Sequence, residues 1–146
     1  MGNRIMEERI KAFMEREQAL MKKYGYIVHN VFETGKKEFD GLANNHTHGI
    51  IENFGHDDFQ IVIPFEQKET ILLFYHLVEL IKKGETFEPD IEYKNIIQNG
   101  SVHFKEFEDD GRKILRLILP DEKGKMPNDE DCSEIYKKQY NELKIV

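Results

Sequence analysis

The sequence predicts an α+β fold: one antiparallel sheet of about five strands with helices packed on it. Three observations lead there. Short segments alternate apolar and polar residues with a period of two, as Val102 and Phe104 do against His103 and Lys105, which marks half-buried strands. Two longer segments, 4–23 and 66–83, space their apolar residues as helices do. The elements then follow in the order helix, strand, hairpin, helix, short helix, hairpin, helix.

In chain order, residues 4–23 place Ile5, Met6, Ile10, Phe13, Met14, Leu20 and Met21 near helical spacing, with charges at the other positions. This amphipathic helix is expected to pack against the domain's own sheet. Asn3 suits its N-cap and Gly25 its C-terminal stop. Tyr26 to Phe32 reads as a strand, and the polar stretch 33–45 as a loop. His46 to Pro64 reads as two short strands around the turn residues Asn53-Phe54-Gly55. A helix from about Glu66 to Lys83 follows, with so little polar face that it is expected to be buried on most sides or to meet another subunit. Gly84 stops it. Pro89-Asp90 opens a short helix, Ile91 to Gln98. Ser101–Phe107 and Lys113–Leu119 form a second hairpin around Glu108-Asp109-Asp110-Gly111, and its densely apolar return strand is expected to be central. A last helix, about Asp131 to Leu143, aligns Ile135, Tyr136, Tyr140 and Leu143 on one stripe.

Composition narrows the function classes. The 34% charged and 39% hydrophobic fractions over 146 residues are those of an ordinary globular chain, read as a single domain. A formal charge of −7 without a basic cluster argues against nucleic acid, because phosphate neutralisation supplies most of that affinity. Cys132 is the only cysteine, so no internal disulfide forms and a reducing, cytoplasmic home is expected. Its neighbours Asn128-Asp129-Glu130-Asp131 raise a thiol's pKa, which disfavours a nucleophile. No apolar run approaches a membrane span, and GxGxxG, Walker A, GxSxG, HExxH and CxxC are absent.

The stretch His46-Thr47-His48-Gly49-Ile50-Ile51-Glu52-Asn53-Phe54-Gly55-His56-Asp57-Asp58 concentrates the chemistry. In a strand His46 and His48 share a face, about 6.6 Å apart at roughly 3.3 Å per residue. With Glu52 and His56 folding back from the turn, the four make a ligand set suited to a divalent transition metal such as zinc, iron, nickel or manganese. The spacing resembles part of the first cupin motif, departing from it at Gly41 and in the missing far glycine. The alternative is two imidazoles on the solvated face of an edge strand. His56, Asp58 and Glu52 are the candidate acid–base groups, since carboxylates beside a histidine raise its pKa. Alternatively, the ring and Asp58 hydrogen-bond the backbone of the turn.

Short pieces are spread along the chain: Tyr24-Gly25-Tyr26, Thr47 to Gly49, Gly55-His56 with Asp58-Phe59, Pro64, Gly84-Glu85 with Phe87, and Leu119-Pro120-Asp121 with Gly124 and Pro127. On these residues the chain resembles the bacterial domain of unknown function family number 4262. The resemblance implies a small cytoplasmic bacterial domain, with residues 25–127 as its core, a helix at 1–24 before it and a helical tail at 128–146 after it. It implies no reaction. Family members usually carry an aromatic and an aliphatic where His46 and His48 stand, so it implies no family-wide role for that pair.

Three functions compete. The first is a module that binds a protein or a small molecule without catalysis, favoured by the lack of a catalytic constellation. The second is a metal-dependent enzyme using His46, His48, Glu52 and His56. The third is a flavin or nucleotide binder. A homodimer is expected from the surplus apolar surface of the 66–83 helix.

Overall fold

The computed structural model describes residues 2–31, 41–98, 100–109 and 111–142. Its elements are α1 (Gly2–Tyr24), β1 (Ile27–Val31), β2 (Asn44–His48), α2 (Ile50–Phe54), β3 (Asp58–Ile61), α3 (Gln67–Lys82), β4 (His103–Asp109), β5 (Arg112–Ile118) and α4 (Glu134–Lys137), followed by a 3-10 turn at Lys138–Tyr140. The class is α+β with one five-stranded sheet in the order β1-β2-β3-β5-β4.

The sheet is mixed, which corrects the expectation of a purely antiparallel one. β1–β2, β2–β3 and β4–β5 pair antiparallel, but β3 and β5 run parallel, with Phe59 opposite Leu115. The reason lies in the second hairpin. Its strands are antiparallel to each other, so whichever lies next to β3 fixes the sense of that pairing. β5, buried from Ile114 to Ile118, takes the centre, and β4, which alternates with Lys105, Glu106 and Glu108, takes the edge.

The two faces of the sheet differ. On one, Phe59, Ile61, Phe104, Leu115 and Leu117 join Phe74, Leu77 and Val78 of α3 in a single buried cluster. Phe87 completes it, its ring 5.2 Å from Phe104. The other face carries buried polar groups: Asn44, His46, Gln60 and Arg116.

Several local expectations change. Residues 91–98 form no regular helix. Tyr93 instead exchanges two backbone hydrogen bonds with Val102, at 2.8 and 2.9 Å, extending the sheet by an isolated bridge. The last helix shrinks to α4 and the 3-10 turn, because Gln139 is drawn fully inside. Its amide accepts from Leu119 N and donates to Leu119 O, prolonging β5 with a side chain. Leu143 lies outside the described residues. α1 does not lie on the sheet: Ile5, Met6, Ile10, Phe13, Met14 and Leu20 are 47–64% exposed, and its contacts with the domain come from its C-terminal turns. No helix among the described residues is long and apolar enough to cross a membrane.

Candidate metal centre

Alternation along β2 sends Asn44, His46 and His48 to the polar face, and register decides what joins them. His29 of β1 stands opposite His46, and Ile27 opposite His48. Three imidazoles therefore meet. The centroid of His48 lies 4.6 Å from that of His29 and 4.8 Å from that of His46, and one ligand nitrogen from each ring lies within 4.8 Å of the other two. Around a tetrahedral zinc, nitrogens at 2.0–2.1 Å from the ion sit roughly 3.4 Å apart.

Hydrogen bonds set which nitrogens are left over. Arg116, 1% exposed, is an obligate donor: its Nε donates to Gln60 Oε1 at 2.7 Å. Gln60 must then offer its Nε2 hydrogen, which goes to Asn44 Oδ1 at 2.8 Å. That oxygen also contacts His46 Nδ1 at 3.1 Å, and since it is an acceptor, Nδ1 carries the proton. The lone pair of His46 is thereby left on Nε2. Asn44 Nδ2 is buried and lacks a partner among the described residues. His29 donates its Nε2 hydrogen to Glu17 Oε1 of α1 at 2.8 Å, which leaves Nδ1 as the ring atom not spent on that bond. The His48 ring makes no hydrogen bond to another described residue.

His46 and His48 are held neutral. Burial, and then Arg112, His46 and His29, push His48 down to about 4. Burial also lowers His46, with Arg112 and His29 adding to it and Asp109 opposing it. Neutral imidazole is the form that binds metal, so no proton need be displaced from His46 or His48 at neutral pH. Arg112 does not leave an uncompensated positive charge beside the rings, because its Nη1 sits 3.2 Å from Asp58 Oδ2.

The remaining sequence candidates serve the connection between β2 and β3. That connection is α2 rather than a tight turn, bounded by Gly49 and Gly55, both with positive φ (103° and 70°). A Cβ on Gly49 would meet Met21 Sδ at 2.5 Å and Gly25 O at 3.0 Å, so the start of α2 seats directly on the end of α1. Asp58 reaches back over this start. Its Oδ1 accepts from Thr47 Oγ1 at 2.8 Å and from Ile50 N at 3.1 Å. Its Oδ2 takes Arg112, and Thr47 Oγ1 in turn accepts from Phe59 N.

His56 is occupied at both nitrogens: Nδ1 donates to Asp57 O at 2.9 Å and Nε2 accepts from Phe87 N at 2.9 Å. It packs among Phe59 and Phe87, with no lone pair left for a metal. Glu52 is exposed on α2. The structure thus brings His46 and His48 together and adds His29, while Glu52 and His56 stand apart from the group. His29 was missed because its link to His46 exists only through cross-strand register. A histidine in a strand predicted to neighbour the HxH strand was the available signal. Outside this region, His76 bonds the carbonyl of Asn95 through Nε2, and Cys132 is buried with its thiol pushed up by burial and Asp121.

The family description "Domain of unknown function (DUF4262)" matches residues 20–133, and the chain belongs to this family. No curated protein and no solved structure matches the chain.

Proposed function

We propose that this member of the DUF4262 family is a binding module for one divalent transition-metal ion, held by His29, His46 and His48. What carries the reading is the convergence of three imidazoles from two adjacent strands, two of them held by other hydrogen bonds. Imidazole ligands suit zinc, copper, iron and nickel rather than magnesium or calcium. Glu17 supplies the carboxylate that commonly orients a ligating histidine, and the Arg116–Gln60–Asn44 chain does the same for His46.

Chelator-treated protein titrated calorimetrically with zinc, nickel and cobalt is expected to take up one ion per chain. His46→Ala and His48→Ala are expected to abolish that uptake, and Glu52→Ala to leave it unchanged. An unaltered wild type that binds none of the three metals contradicts the reading.

The metal-dependent enzyme is the second reading, favoured by one observation. Three protein ligands rather than four is the pattern of zinc sites that keep a position for water or substrate. Asp109, whose charge acts on His46, is a carboxylate of the β4–β5 hairpin beside this face.

A further inference from the structure

Register lines up one row of side chains across the polar face of the sheet: His46, Gln60, Arg116 and Lys105, from β2, β3, β5 and β4. Its last two members are cations set directly opposite each other, a pairing that destabilises a sheet. The ion pairs of this hairpin belong to Arg112 and Lys113, and neither Lys105 nor Arg116 has a carboxylate partner among the described residues. Lys105 instead lies 5.5 Å from the centroid of the Tyr140 ring, and the Arg116 guanidinium 3.6 Å from that of Phe107. Arg116 is 1% exposed, and burial pulls its pKa down to about 9 against the charges of Asp109 and Glu142. A buried charge without a counter-ion is costly to keep.

The guanidinium is nonetheless fixed on two of its three nitrogens. Nε donates to Gln60, and Nη1 donates to the carbonyl oxygens of Gln139 and Asn141 at 2.6 Å each. Nη2 makes no hydrogen bond to another described residue. Arg116 and Lys105 both line a cavity of about 830 Å³, the size of a small-molecule site, together with Phe107, Ile114 and Tyr140. We propose that this cavity binds a small organic monocarboxylate, its carboxylate held by Arg116 and Lys105. The carboxylate supplies the missing counter-charge and accepts from Nη2, while the aromatic and aliphatic side chains take the organic part. Glu108, Asp109 and Glu142 line the same cavity, so a second negative charge on the ligand is repelled. The site requires no metal, and its test uses metal-free protein.

The chelator-treated chain is titrated with benzoate, acetate and inorganic phosphate at constant ionic strength, with amide and arginine side-chain signals followed by NMR. Benzoate is expected to shift the β4 and β5 amides and the Arg116 Nε–H saturably, acetate to do so more weakly, and phosphate to bind weakest. Lys105→Met is expected to keep the sheet amides in place and to weaken benzoate at least about tenfold, through the lost charge-assisted hydrogen bond. Arg116→Lys keeps the charge without the planar fork and is expected to abolish saturation. Because Arg116 also holds two backbone carbonyls, Lys105→Met is the variant that separates lost binding from lost folding. A wild type that saturates with neither carboxylate overturns the proposal. So does benzoate binding indifferent to Lys105→Met, and so does phosphate binding more tightly than benzoate.

Discussion

His46 and His56 are almost equally buried, 6% and 8% exposed, yet they differ in everything that matters for chemistry. His56 spends both nitrogens on backbone groups and its ring on Phe59 and Phe87. His46 spends Nδ1 on Asn44 and keeps Nε2 unspent, in a ring that lies beside two further imidazoles. Burial alone therefore does not distinguish the two. The count of unspent lone pairs does, and it depends on partners far away in sequence: Phe87 for one ring, His29 and Arg116 for the other.

The sharpest way to break the comparison is through the structural side. Asp58→Ala removes the acceptor for Thr47 and Ile50 and strands Arg112 beside the sheet. A loss of about 3–5 kcal/mol is expected in denaturant unfolding. His56→Ala opens a void among phenylalanines and orphans the Phe87 N–H, with an expected cost of about 2–4 kcal/mol. His29→Ala and His48→Ala, by contrast, are expected to change apo stability by about 1 kcal/mol or less. Equal costs for His48→Ala and His56→Ala would erase the distinction.

A finer test uses the outer partner. Glu17→Ala leaves all three imidazoles in place but releases His29, and metal affinity is expected to fall about 10–100-fold. An unchanged affinity would show that the Glu17 contact does not orient a ligand.

Acid titration gives the smallest effect. The folded protein resists protonation of His48 down to about 4, whereas an unfolded chain takes up that proton near 6.5. Below 6.5 the unfolded state binds more protons, so stability is fully present above that pH and declines toward 4. The slope of melting temperature with pH over this window is expected to flatten in His48→Gln. An unchanged slope would assign the acid sensitivity to other groups.

Much of this was legible in the sequence. Pro64 and Gly84 bracket α3 to within a residue or two, and the apolar density of Lys113–Leu119 foretold its central place. The common face of His46 and His48 follows from strand alternation alone. What escaped was set by distant contacts. Ile50 and Ile51 are β-branched and read as strand, but Gly49, Gly55 and the Asp58 cap wind them into α2. The pairing sense of β3 and β5 depends on which strand of a hairpin wins the centre. Nearness in sequence suggested Glu52 and His56 as ligands, while the third imidazole came from another strand. The amphipathic stripe of α1 read as sheet packing, whereas only its C-terminal turns meet the domain.

The account turns on which imidazoles respond to metal, and NMR of histidine side chains labelled with nitrogen-15, recorded during a zinc titration, reads this directly. The expected result is a one-equivalent change at His29, His46 and His48, with His56 unmoved. Zinc that perturbs His56 and spares His29, or that perturbs none of them, would contradict it.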